Sequence, residues 1–169
     1  MSEVKEQEAP KAEAPLTYSR LDADCPDGYR CIRDEIADDV MIDTQSSYMR
    51  RSDNVSLQES DFVTYWEDPN KISARPNKWR SIRAWKGWSV FKVNPATNQD
   101  LLERWKNRRD ISPKEMTRYV HVIGLHSTTG HVDRAGTSSS PDHRNVWKSD
   151  TFDSEKLVRR SCLDLDQDV

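Results

Sequence analysis

Residues 82–93, IRAWKGWSVFKV, form the most β-prone segment of a chain that has little apolar material to fold around. Hydrophobic residues make up 34% of the 169 and charged residues 33%. Ordinary globular chains hold about 45–50% and about 25%. The shortfall predicts a small core of roughly 80–100 residues with flexible flanks. Within the segment, Lys86-Gly87 is placed to turn a hairpin, with Trp85 and Trp88 at its shoulders. A competing period exists, because Trp79, Ile82, Trp85, Trp88 and Phe91 recur every three residues. An α-helix smears that stripe around most of its surface, so a strand pair is the expectation.

The rest of the chain is read around that pair. The run 62–66, FVTYW, is a second β-prone stretch, closed by Asp68-Pro69-Asn70. Thr97 with Asp100 resembles a capping box, and Leu101, Leu102, Trp105 and Arg108 follow helical spacing, predicting a helix over 98–109. Ser112-Pro113-Lys114-Glu115 reads as a second start signal, with Met116, Val120 and Ile123 on one face, predicting a helix over 113–123. The β-branched Val120, Val122 and Ile123 keep a strand open for 119–126. Ile32, Ile36, Val40 and Met41 lie near helical spacing. Residues 43–60 and 127–142 have loop composition, and 151–162 is read as a short last helix.

The expected fold is therefore α+β: a hairpin or short sheet over about 61–93, packed by helices near 98–109 and 113–123. Residues 1–16 are expected to be a disordered acidic arm, 17–60 an acidic, partly ordered segment, 61–162 the folded domain and 163–169 a flexible tail. No apolar run is long enough to span a bilayer. The charged start, MSEVKEQEAPKAEAP, does not resemble a secretory signal. Three cysteines, Cys25, Cys31 and Cys162, are expected to be reduced thiols inside the cell, in cytoplasm or nucleus.

Charge is unevenly distributed along the chain. Residues 1–70 hold 7 basic and 17 acidic side chains, 71–118 hold 13 and 4, and 119–169 hold 6 and 8. The central block interleaves cations with aromatic rings. Arg75, Lys78, Trp79, Arg80, Arg83, Trp85, Lys86, Trp88 and Lys92, continued by Arg104, Arg108 and Arg109, are the candidate nucleic-acid-binding residues. Lysine and arginine neutralise phosphates, and indole faces stack on unpaired bases. Against this, six tryptophans are nearly the only large apolar groups available, and a core-poor protein needs them inside.

Other motifs carry less. Two helices joined by Asp110-Ile111-Ser112 would place Lys114, Thr117, Arg118 and His121 as in a helix-turn-helix, although an ordinary helical hairpin fits better. His121, His126 and His131 are five residues apart, with His143 beyond. That spacing converges on neither a helix nor a strand, so no metal and no cofactor are expected. Glycine-rich phosphate loops and hydrolase or metalloprotease signatures are absent. The expected function is a non-enzymatic nucleic-acid-binding accessory protein, favouring RNA or single strands. The alternative is an interaction or structural subunit that docks on a partner protein through the same Trp/Arg surface.

Overall fold

The computed structural model describes residues 15–23, 25, 39–107 and 117–166. Seven strands run in chain order: β1 (Val40–Met41), β2 (Ser47–Ser52), β3 (Trp88–Lys92), β4 (Tyr119–Gly124), β5 (Gly130–Asp133), β6 (His143–Lys148) and β7 (Val158–Asp164). They form one antiparallel sheet in the order β1-β5-β6-β3-β2-β4-β7. The α-helices are short: α1 (Ser19–Asp22), α2 (Trp79–Trp85) and α3 (Asn98–Asn107). Among the described residues, 3-10 turns at Glu59–Phe62, Pro69–Ala74 and Ser154–Lys156 punctuate the connections.

Successive side chains in a strand point to opposite faces, and here both faces are covered. On one face Tyr48, Trp88, Val90, Ile123, Val132 and Val146 pack under Leu57, Phe62 and Leu157 from the loops. On the other face α3 lays Leu101 and Trp105 over Met49 and Val120. Farther along that face, Tyr18 and Leu21 of the N-terminal segment cover Val40 and Trp147. Each large side chain taken from water contributes about 1.5–3 kcal/mol, so a chain poor in apolar residues concentrates its core on two sides of one sheet. Two glycines permit this packing. Gly130 sits at φ +133°, where a Cβ would meet the Trp147 carbonyl oxygen at 1.8 Å, and a Cβ on Gly87 would meet Asn145 Cβ at 2.8 Å.

This architecture overturns the expected fold of a small hairpin packed by two helices. No hairpin turns at Lys86-Gly87. The three-residue stripe wins as far as Trp85, which ends α2, and Gly87 then changes the period to that of β3. Trp88–Lys92 pairs with β6 and β2, not with 61–66, where a 3-10 turn and coil replace the expected strand. The helix read over 98–109 is present as Asn98–Asn107. The one read over 113–123 is not: β4 begins at Tyr119, and residues 111–116 lie outside those described. Its apolar residues are β-branched and find partners on β2 and β7. The helix-turn-helix alternative falls with it. Strands also occupy 47–52, 130–133 and 158–164, which read as loop, loop and helix. Residues 1–14 of the expected arm 1–16, and most of the proposed 32–41 helix, lie outside the described residues.

No described helix is long and apolar enough to cross a membrane.

Candidate docking surface

Strand β2 makes six register pairs with β4, from Ser47↔Gly124 to Ser52↔Tyr119. With β3 it makes only two, Tyr48↔Lys92 and Met49↔Phe91. Beyond Met49 the two strands splay apart. The Arg50 guanidinium fills the missing ladder: Nη1 donates to the Ser89 carbonyl at 2.6 Å, while Nε and Nη2 donate to the Asp61 carbonyl at 3.1 and 2.5 Å. The planar five-donor fork of arginine is suited to such a bridge. Burial lowers its pKa, with Asp61 opposing that shift.

The splay is held open by the long excursion between these neighbouring strands. Asp61 organises its start, accepting from the Ser52 hydroxyl, from Gln58 N–H at 2.8 Å and from Asn54 Nδ2 at 3.3 Å. Phe62 plugs into the core edge-on to Trp88, with ring centroids 5.0 Å apart. The backbone then turns outward. Thr64 is buried between two exposed neighbours, Val63 and Tyr65. Trp66 N–H donates to the Trp85 carbonyl at 3.1 Å, tying the excursion to α2. Asp68 caps the turn Pro69–Ala74 through Asn70 N–H at 2.9 Å, which leaves Ile72 exposed.

The result is an open cleft of about 280 Å³ in the fork of β2 and β3, lined by Arg50, Arg51, Val63, Tyr65, Phe91 and His143. Its rim is aromatic and cationic. Tyr65 is 60% exposed and rests on Trp85 at 5.6 Å, with Lys71 Nζ 5.1 Å above the tyrosine ring. Arg51 lies over Trp105 at 5.4 Å. Burial lowers the His143 pKa, with Asp133 opposing and Arg144 reinforcing that shift. Between Asp68 and Asp100 the sequence has seven cations and no acidic residue.

The sequence-predicted residues scatter over this framework. Trp88, 2% exposed, is core. Lys86 is buried, with its ammonium on the Leu21 carbonyl. Arg75 lies over Trp66 at 4.3 Å and donates to its carbonyl. Arg83 lies over the buried Trp147 at 4.5 Å. Lys92 is partly buried at the end of β3, opposite Tyr48. Arg104 is exposed on α3, which packs on the opposite face of the sheet from Trp88. Trp79 belongs to α2, where Lys78 at its N-terminal boundary and Arg80 are exposed. Arg108 and Arg109 lie outside the described residues. Of the proposed tryptophan pair, Trp88 forms part of the cleft's lining from within the core, and Trp85 does not line it but supports the Tyr65 ring.

Sequence reasoning missed Arg50, Arg51, Val63 and Tyr65 as site residues. The available signal was the β-prone run 62–66, whose alternation was assigned to a strand. The histidines do not converge: His121 Nε2 meets the Asn54 carbonyl at 2.8 Å, His126 meets Thr128, and His131 meets Tyr18. Among the described residues no three His, Cys, Asp or Glu side chains are grouped to hold a metal. No protein-family model matches the chain, and no curated protein or solved structure is significantly similar to it.

Proposed function

We propose that the protein is a non-enzymatic docking module that recognises a partner protein through the β2–β3 fork. The observation that carries this is the concentration of exposed apolar side chains on one stretch of the excursion. Val63, Tyr65 and Ile72 are three of the six large hydrophobics exposed among the described residues, and all come from residues 62–74. Val63 and Tyr65 are exposed and line the open cleft, an arrangement that favours a partner. Tyrosine, tryptophan and arginine at the rim are the residue types that anchor interfaces. Arg50 and Arg51 in the lining, and the acid-free run between Asp68 and Asp100, favour an acidic partner segment. Free thiols at Cys25 and Cys162 support an intracellular setting.

The acid-free cationic run supports a second reading, single-stranded nucleic acid, with Tyr65 as the stacking platform in place of the buried Trp88. It ranks below protein docking because Arg50, Arg75, Arg83 and Lys86 already have internal partners.

One paired experiment separates them. Wild-type protein and Tyr65→Asp are used as baits for cell extract, and both are titrated with unstructured oligonucleotides at two salt concentrations. Protein docking predicts a partner retained by wild type and lost by Tyr65→Asp, with no oligonucleotide binding. Oligonucleotide affinity that falls steeply with salt moves the nucleic-acid reading to the front. Identical behaviour of the two baits rules out the fork.

A further inference from the structure

A second cavity, of about 130 Å³, lies behind the excursion. Its walls include the rings of Trp66 and Phe152, the side chains of Thr64 and Ser149, and the ammonium-bearing Lys86 and Lys148. The two lysines differ in their partners. Lys148 Nζ is paired with Glu67 at 2.9 Å. Lys86 is 1% exposed and has no carboxylate partner among the described residues. Its Nζ donates to the Leu21 carbonyl, lies 3.4 Å from Cys25 Sγ, a weak acceptor, and sits 4.8 Å from the Trp66 ring centroid. A buried cation without a counter-charge is unfavourable, and one that lines a cavity is poised to receive an anion there.

We propose that this pocket binds a small organic monocarboxylate, with the carboxylate on Lys86 and the carbon skeleton against Trp66 and Phe152. The charges of the lining select the class. Glu67 is neutralised by Lys148 and held by Thr64 N–H at 2.8 Å, while Glu59 accepts from Ser154 Oγ at 2.6 Å. The lining holds three cations, Arg20, Lys86 and Lys148, against two carboxylates, Glu59 and Glu67, and this single excess positive charge matches a monoanion better than a dianion such as phosphate. The aromatic walls favour an apolar skeleton over a hydrated inorganic ion. Arg20 also lines the pocket and adds a cation on the approach. This site is independent of the docking surface, although Thr64 lines both cavities.

The test uses full-length protein and benzoate as the probe, with acetate, chloride and inorganic phosphate at matched ionic strength. Benzoate is expected to raise the melting temperature saturably and to quench fluorescence through Trp66, so that the quench is lost in Trp66→Phe. Lys86→Met keeps the length and removes the charge; it is expected to weaken benzoate at least about tenfold, the loss of one charged hydrogen bond. No saturable response, an equal response in Lys86→Met, or phosphate binding more tightly than benzoate would overturn the proposal. Should Lys86→Met not fold, intermolecular NMR contacts on the wild type decide the matter. Contacts from benzoate to the Trp66 and Phe152 rings are expected, and their absence overturns the site.

Discussion

The two sides of strand β2 are built by different means. Toward β4 it runs a full ladder of six register pairs, with Val120 and Ile123 buried on opposite faces. Toward β3 the ladder stops after two pairs, and an arginine side chain bonds the backbone that a strand would otherwise satisfy. The first side is closed by regular pairing, which specifies register and leaves no room for a partner. The second is closed only in part, and the excursion that props it open carries exposed Val63, Tyr65 and Ile72. The same sheet thus holds a rigid half and a half with a mouth, which is how folds commonly position binding residues on connecting segments.

The comparison is broken most severely from inside the fork. Trp88→Ala removes a buried ring that contacts Phe62 and Phe152 at centroid distances of 5.0 and 6.3 Å. It is expected to cost about 3–5 kcal/mol in urea unfolding. A loss within experimental error would return Trp88 to the surface and revive a stacking role for it.

Arg50→Met is the next largest test. It keeps the apolar stem and removes the donors to the Ser89 and Asp61 carbonyls. The expected loss is about 1.5–3 kcal/mol, the cost of charged hydrogen bonds with buried acceptors left unsatisfied. Hydrogen exchange should show the fork loosening while amides of the β2–β4 ladder stay protected. Equal loosening on both sides of β2 would remove the distinction between them.

These sites also show what the sequence could and could not disclose. The helix over Asn98–Asn107 was legible because a capping signal and 3.6-residue spacing agreed. The sheet was not legible in β2 and β4 because both bury adjacent residues on opposite faces, which erases the polar–apolar alternation that marks a half-exposed strand, and in β7 because its residues are mostly exposed. Tyr48 and Met49, adjacent in β2, serve opposite cores, so 43–60 read as loop. The period change at Gly87 hid α2 and β3 inside one apparent hairpin. The tryptophan-rich block is visible in the sequence, but whether each ring faces in or out depends on long-range pairing that local spacing does not encode. Arg50 was invisible as a site residue for the same reason: its partners lie 11 and 39 residues away.

Acid should act on the anchored start of β2. Burial pushes the Asp43 carboxyl up, but hydrogen bonds from Ser46, the Tyr48 hydroxyl at 2.6 Å, and the Ser46 and Gln45 amides outweigh it and hold the pKa at about 2. The folded value lies below the unfolded 3.8, so the stabilisation is complete above pH 3.8 and is lost as pH falls toward 2. The shift corresponds to about 2 kcal/mol. Across that window Asp43→Asn should lose correspondingly less stability than wild type. Parallel pH profiles for the two proteins would contradict the assignment.

The smallest stability effect belongs to the rim. Tyr65→Ala should change stability by no more than about 0.5 kcal/mol, since its ring is mostly in water. A loss comparable to that of Trp88→Ala would mean that Tyr65 is structural.

The central claim is that the open side of β2, and not its closed side, receives the partner. Amide hydrogen exchange measured on the protein alone and with the partner that wild type retains and Tyr65→Asp loses tests it directly. New protection confined to residues 62–72 and 87–91, with β4 and β7 unchanged, is the predicted result. Protection on β4 and β7 or on α3, with the fork unchanged, would contradict it.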